Sequence, residues 1–222
     1  MSEGQTILIV GATGMVGHEV LMHALSHPRV SKVRSLGRRK VQVDHPKLQQ
    51  WVSPDLETFD DLACFQDVDA CLFCVGAYTG ALDNEAFRKI NVDLPLAVAR
   101  GMQRHAPDAR FALLSGQGAD RTESSRIQFA ADKGAAENAL AQMGLGGFMT
   151  FRPGYIFPSV PRKEPNWGYV VSRWLYPLIR RHPKLSIPSR TLGKVMLEVA
   201  LGPATQEVWE NEDMRRHPAA VD

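Results

Sequence analysis

Thr6-Ile-Leu-Ile-Val-Gly-Ala-Thr-Gly-Met-Val-Gly17 is the stretch that decides how this chain folds. A short run rich in β-branched and apolar residues passes directly into glycines at 11, 14 and 17, and a helical pattern opens beyond them. Val16, Val20, Leu21, Ala24 and Leu25 recur at the spacing of one helix face until His27-Pro28 ends the run. A glycine triplet alone is weak evidence, but between a strand and a helix it has a mechanism. Gly11 permits a tight turn, Gly14 lets a pyrophosphate approach the backbone, and Gly17 lets the helix sit close to the strand. The free N–H groups and positive dipole end of the helix then face the phosphates. The turn Gly11-Ala-Thr13-Gly14-Met15-Val16-Gly17 therefore predicts a dinucleotide site.

Outward from this turn, apolar runs and amphipathic stretches alternate, the pattern of a parallel sheet covered by helices. Strands are expected at Val33–Leu36, Gln49–Val52, Ala70–Val75, Arg110–Leu114 and Phe148–Arg152. Between them, the patterns predict a short helix over Leu56–Cys64, one or two helices within Ala86–Met102 and a long helix over Gln128–Met143. That completes a doubly wound α/β core, a Rossmann fold, by residue 155. Pro158, Pro161, Pro165, Pro177, Pro183 and Pro188 interrupt the remainder before a helix near Leu192–Leu201. With no linker or repeat visible, the reading is one domain over 1–222, with 155–222 contributing a small substrate or cap region.

Composition narrows the classes. A chain of 222 residues that is 44% hydrophobic can bury one α/β core, and a net charge of +2 implies neither a nucleic-acid nor a membrane partner. No apolar run approaches the ~20 residues of a membrane span. Met1 is followed by polar Ser-Glu-Gly-Gln and the cysteines number three, which leads to the expectation of a reducing, cytoplasmic setting. Cys71-Leu-Phe-Cys74 spells a redox or half-zinc signature, but it lies in a strand, where positions three apart face opposite ways. Buried structural thiols are expected. His18, His23 and His27 share a helix without a carboxylate cluster, so no metal is assigned. Trp167, Tyr169, Trp174 and Tyr176, interleaved with Arg173, Arg180 and Arg181, could form an amphipathic membrane-surface helix, but the commoner explanation is a lid or a subunit contact over a substrate cleft, which leaves a homo-oligomer open.

The cofactor's type is written about twenty residues after the turn, where a carboxylate would bind the ribose 2′-hydroxyl of NAD. Leu36-Gly-Arg38-Arg39-Lys40 stands there instead. An arginine fork grips a 2′-phosphate, so NADP(H) is expected ahead of NAD.

With these motifs, together with Asn91-Val-Asp93, Leu113-Leu-Ser-Gly-Gln-Gly-Ala-Asp120 and Phe151-Arg-Pro-Gly154, the chain resembles the atypical short-chain dehydrogenase/reductase superfamily. The similarity is to its Tat-interacting-protein group of small NADPH-binding members, over essentially the whole length. The resemblance implies that Asp55 and Leu56 meet the adenine, that Cys74, Val75 and Gly76 lie along the adenosine ribose and pyrophosphate, and that Pro153 and Gly154 border the nicotinamide. It also implies a lysine holding the ribose and a tyrosine, four residues earlier, exchanging a proton with the substrate. Lys133 is present, but Phe129 occupies the tyrosine's place.

Ser115 ends the fifth strand, whereas the superfamily's hydroxyl often falls one or two positions later, at Gly116 or Gln117 here. Tyr78 and Tyr155, in loops that should open at the active-site face, are the substitute proton donors. The function expected is an NADP(H)-dependent oxidoreductase on a small carbonyl or alcohol. The other reading is a dinucleotide-binding redox sensor or scaffold that lacks the acid. A semialdehyde dehydrogenase has no support, because the chain shows neither a second catalytic domain nor a convincing nucleophilic cysteine.

Overall fold

A computed structural model describes residues 4–55, 62–77, 83–160, 182–203 and 205–221. β1 (Gln5–Val10) leads through the glycine turn into α1 (Met15–Ser26), followed by β2 (Val30–Gly37), β3 (Leu48–Val52), a 3-10 turn (Leu62–Phe65) and β4 (Ala70–Phe73). α2 (Asn84–Arg88) continues through a π-helical turn (Lys89–Asp93) into α3 (Leu94–His105). Then come β5 (Arg110–Leu114), α4 (Gln128–Ala141), β6 (Gly147–Arg152), β7 (Tyr155–Phe157), β8 (Ser186–Pro188), α5 (Ser189–Leu201), β9 (Val208–Glu210) and α6 (Asn211–Arg216).

Seven strands form one parallel sheet in the order β3-β2-β1-β4-β5-β6-β9, the doubly wound arrangement expected from the alternation of patterns. The order reverses at β1, where Val10 pairs with Leu36 of β2 on one side and Phe73 of β4 on the other. Ligands of such sheets bind outside the carboxyl ends of the strands at this switch point.

β1 is apolar at every position from Ile7 to Val10 because both of its faces are covered. Ile7 and Ile9 pack into a layer with Val20, Leu21, Phe151, Met196 and Trp209, while Leu8 and Val10 join Phe65, Phe73, Val98, Met102 and Phe111 in the other. Cys71 and Cys74 divide between the same two layers, as their spacing requires. All three cysteines are buried. Burial pushes the Cys74 thiol up to about 12 and Cys71 well above its ordinary value, so both stand as protonated thiols at neutral pH.

Three features differ from the sequence pattern. Of the helix expected over Leu56–Cys64, residues 56–61 lie outside the described residues, and Leu62–Phe65 is a 3-10 turn. The Ala86–Met102 segment is two helices joined by the π-helical turn, which carries buried Asn91 inward. Beyond residue 155 the chain supplies core as well as surface. β9 pairs with β6 as a seventh strand, and α5 lies on α1 so closely that a Cβ on Gly193 would come within 2.7 Å of the Glu19 side chain. Among the described residues, no helix is long and apolar enough to cross a membrane.

Candidate functional site

Two of the three glycines are required by close backbone approach. Gly11 has φ +87° and would press a Cβ to 2.7 Å from Val75, so only glycine fits that turn. A Cβ on Gly17 would collide with the Gly11 carbonyl oxygen. Gly14 donates its N–H to the same oxygen at 2.9 Å and begins α1 without any side-chain cap, leaving the first-turn N–H groups facing outward for an anion.

Two clefts meet at this helix end, both lined by Thr13 and His18. One, of about 760 Å³, continues along Arg39, Lys40, Val41, Gln42, Val43 and Val52. The other, of about 400 Å³, runs along Gly14, Met15, Glu19, Pro158, Ser159 and Val160. The Arg39–Lys40 loop is held by Gln50 of β3, which accepts from Val41 N–H at 2.9 Å and donates to the Val41 carbonyl at 3.3 Å. Arg38 is exposed and does not line the cleft. Nor does Asp55, which is exposed and accepts from the Ser53 hydroxyl at 3.3 Å; Leu56 lies outside the described residues.

On the other side of the switch point, the backbone of Cys74 and Val75 abuts Gly11, and exposed Gly76 follows. Lys133 Nζ donates to the Leu114 carbonyl at 3.3 Å, and a Cβ at Gly76 would stand 3.9 Å from both Lys133 Nζ and Asn91 Oδ1. Lys133 is 4% and Asn91 1% exposed, and Asn91 Oδ1 has no hydrogen-bond partner in the described structure. Burial, against the attraction of Glu137 and Asp132, lowers the Lys133 ammonium to about 8. Gly134 allows this arrangement, because any Cβ there would strike the Asp120 carbonyl oxygen that packs on α4.

The candidate proton donors fare differently. Ser115 is buried and donates its hydroxyl at 2.6 Å to Glu137, which is 0% exposed. Glu137 also accepts from Thr150 at 3.0 Å, Arg152 at 2.5 and 3.0 Å, and Arg121 at 2.8 Å. Burial would raise the Glu137 pKa, but hydrogen bonds from Arg152, Ser115 and Arg121 outweigh it and hold the carboxyl below its ordinary value. Ser115 is thus a structural ligand of a buried carboxylate, which corrects its placement among the catalytic groups. The Phe129 ring tip rests where a side chain on residue 116 would begin. Tyr155 bonds Leu185 through its backbone at 2.9 Å and has an enclosed hydroxyl; Tyr78 lies outside the described residues.

Pro153 accepts from the Gln117 N–H at 2.9 Å, and Gly154 donates to Asn211 Oδ1 at 2.8 Å. Buried Asn211 also donates to the carbonyls of Pro183 at 2.6 Å and Ser186 at 3.0 Å, clamping that segment over Gly154. Its role had no local signal, since Asn211 opens a helix and reads as an ordinary end residue. An uncapped helix end between two clefts, with a buried lysine across the switch point, fits a two-ended anionic nucleotide.

The comparisons agree. Rat (Rattus norvegicus) protein HTATIP2 is 27% identical over 223 residues, covering 95% of this chain and 88% of that protein. A solved short-chain dehydrogenase/reductase family oxidoreductase from Burkholderia thailandensis superposes with a TM-score of 0.64 at 16% identity, over 93% of this chain and 90% of the other. The chain is similar to the atypical short-chain dehydrogenase/reductases and shares their fold. The model of the semialdehyde dehydrogenase NAD-binding domain matches residues 6–92, the nucleotide-binding half only. MoeE5, solved with UDP-glucose and NAD, shares the fold at TM-score 0.66 and 13% identity, over 92% of this chain and 74% of the other. The description of the matched domain supports a nicotinamide dinucleotide as the cofactor class. One expectation is overturned: protein fmp52-1 of Aspergillus terreus, 29% identical over 72% of this chain and 70% of its own length, is a mitochondrial protein by name. Relatives of this kind remove the ground for a cytoplasmic assignment.

Proposed function

We propose that this protein is an NADP(H)-dependent oxidoreductase acting on a small molecule, one domain over 1–222 in which 155–222 helps build the substrate side. The observation that carries the reading is Lys133, a buried ammonium that among the described residues has no carboxylate bonded to it, set beside Gly76 and an Asn91 oxygen with no partner among those residues. A structural lysine that deep would be paired, since an unpaired buried charge costs several kcal/mol. An incoming ribose supplies the missing acceptors.

In this reading the phosphates sit on Gly14, Met15 and Val16 at the start of α1, and Arg39, with Arg38 nearby, faces the 2′-phosphate. Val75 and Gly76 line the ribose, and Pro153 and Gly154 border the nicotinamide. When bound, the dinucleotide supplies or accepts hydride. The chain's own residues hold and orient it, and Lys133 places positive charge beside the reacting end.

Calorimetric titration tests the reading, with NADPH expected to bind at least ~10-fold more tightly than NADH, the worth of one charged hydrogen bond to the 2′-phosphate. Absence of binding by either dinucleotide would sink it. The contact of Phe129 with Gly116 favours a second reading, a dinucleotide-binding sensor without hydride transfer. Tight NADPH binding with no turnover on any acceptor would select that one.

A further inference from the structure

The α1 helix and its C-terminal end carry three histidines, and the fold gives them different surroundings. His23 and His27, four residues apart, share one face. His23 turns to the Arg190 backbone of α5, and His27 Nε2 meets Glu198 Oε1 at 3.1 Å. His18 stands five residues before His23, about 140° round the helix. Its side chain is exposed and makes no hydrogen bond or ion pair among the described residues.

His18 is instead the residue that, with Thr13, lines both clefts at the start of α1. Its backbone N–H meets the Gly14 carbonyl at 2.9 Å, on the turn whose uncapped N–H groups already favour an anion. The ionisable groups facing this junction are Arg39 and Lys40 from the loop after β2, and Glu19 from α1 itself. Val52 and the Pro158–Val160 wall bring none. An imidazole is the side chain whose ordinary titration changes its charge between about pH 5 and 8. Arg39 and Lys40 by themselves disfavour a third cation here, and a phosphate among them reverses that balance, because an opposite charge favours the protonated ring.

We infer that His18 is a proton-coupled phosphate contact, whose ring takes up a proton as the dinucleotide binds and releases it as the dinucleotide leaves. The inference rests on the cofactor reading above. The phosphate is either the diphosphate, common to both dinucleotides, or the 2′-phosphate, which NADPH alone carries. The proton comes from the solvent, and no covalent bond of the dinucleotide changes.

The test is calorimetric titration of the full chain, native and His18→Gln, with NADPH and with NADH at pH 6 and pH 8, beside the unfolding midpoint of each protein without ligand. His18→Gln is expected to weaken binding about 10-fold at pH 6, the worth of one charge-assisted hydrogen bond, and less than about 2-fold at pH 8. Lys133 and the phosphates of the ligand titrate alike in both proteins, so the native-to-variant ratio isolates His18. A loss with both dinucleotides assigns the contact to the diphosphate, and a loss with NADPH alone to the 2′-phosphate. Titrations at pH 7 in buffers of different ionisation enthalpy should show the native chain taking up more protons per NADPH bound than the variant. His18→Arg, whose charge is fixed, should bind NADPH about 10-fold more tightly than the native protein at pH 8, an advantage that shrinks at pH 6. Equal affinity of native and His18→Gln proteins at pH 6 would overturn the inference and leave the cofactor reading standing. So would an equal loss at both pH values with no difference in proton uptake. Absence of binding by either dinucleotide in the native protein removes both.

Discussion

Lys133 carries its charge where the fold resists it. Its ammonium is lowered from 10.5 to about 8, chiefly by burial. Below pH 8 the folded and unfolded chains both hold the proton and the fold bears the full desolvation cost. Between about 8 and 10.5 only the unfolded chain is protonated, so stability rises with pH across that window by about 3 kcal/mol. Lys133→Met is therefore expected to raise the urea midpoint at pH 7 while weakening NADPH binding at least ~10-fold, a split that a merely structural lysine would not show. In the unaltered protein, NADPH affinity should decline as pH rises through about 8, because the charge that meets the ribose is lost. Arg39 is the second residue on which the proposed function rests. Arg39→Glu should cost NADPH ~10- to 100-fold in affinity and spare NADH, whereas Arg38→Ala, outside the cleft, should cost less. Calorimetry on the pairs of ligands reads both.

At the scale of elements, Glu137 of α4 ties together β5 through Ser115, β6 through Thr150 and Arg152, and the loop before α4 through Arg121. The same arginines reach Glu207 and Glu210 at the edge of β9, so one enclosed carboxylate registers four elements. Because its folded pKa lies below the unfolded value, its contribution is complete above the ordinary carboxylate range and is lost as pH falls through the lowered value. Glu137→Gln should cost about 3–5 kcal/mol in denaturant melts at pH 7, since two guanidinium groups lose their buried partner. The acid-side decline of stability should also flatten in this variant. If Glu137→Gln melts like the unaltered protein at both pH 7 and pH 4, the network is not what holds these elements. α4 itself was legible from its apolar spacing, but its partners were not, because Ser115 and Glu137 stand 22 residues apart and meet only once β5 and α4 are packed.

For the whole molecule, the segment after residue 155 closes the core on the α1 side of the sheet. Trp209 of β9 is 7% exposed and stacks on Phe151 with ring centroids 6.1 Å apart, while α5 supplies Leu192, Met196 and Leu197 to the same layer. Trp209→Ala should lower unfolding stability by about 3–5 kcal/mol, measured by denaturant titration, the range for deleting a buried aromatic ring. A loss below 1 kcal/mol would mean that β9 is dispensable trim.

The linear order by itself determined the Rossmann architecture, the position of the glycine turn and the buried fate of Cys71 and Cys74. Those follow from periods of two and 3.6 residues and from turn chemistry, which act within a few residues along the chain. Asn211 on Gly154, 57 residues away, the ring of Phe129 over Gly116, and the withdrawal of Ser115 into Glu137 were decided by the tertiary structure alone. The physical reason is that a hydroxyl or an amide near a strand end takes whichever partner the packed neighbours present. Which groups remain to meet a substrate is therefore settled only when the helices have docked on the sheet.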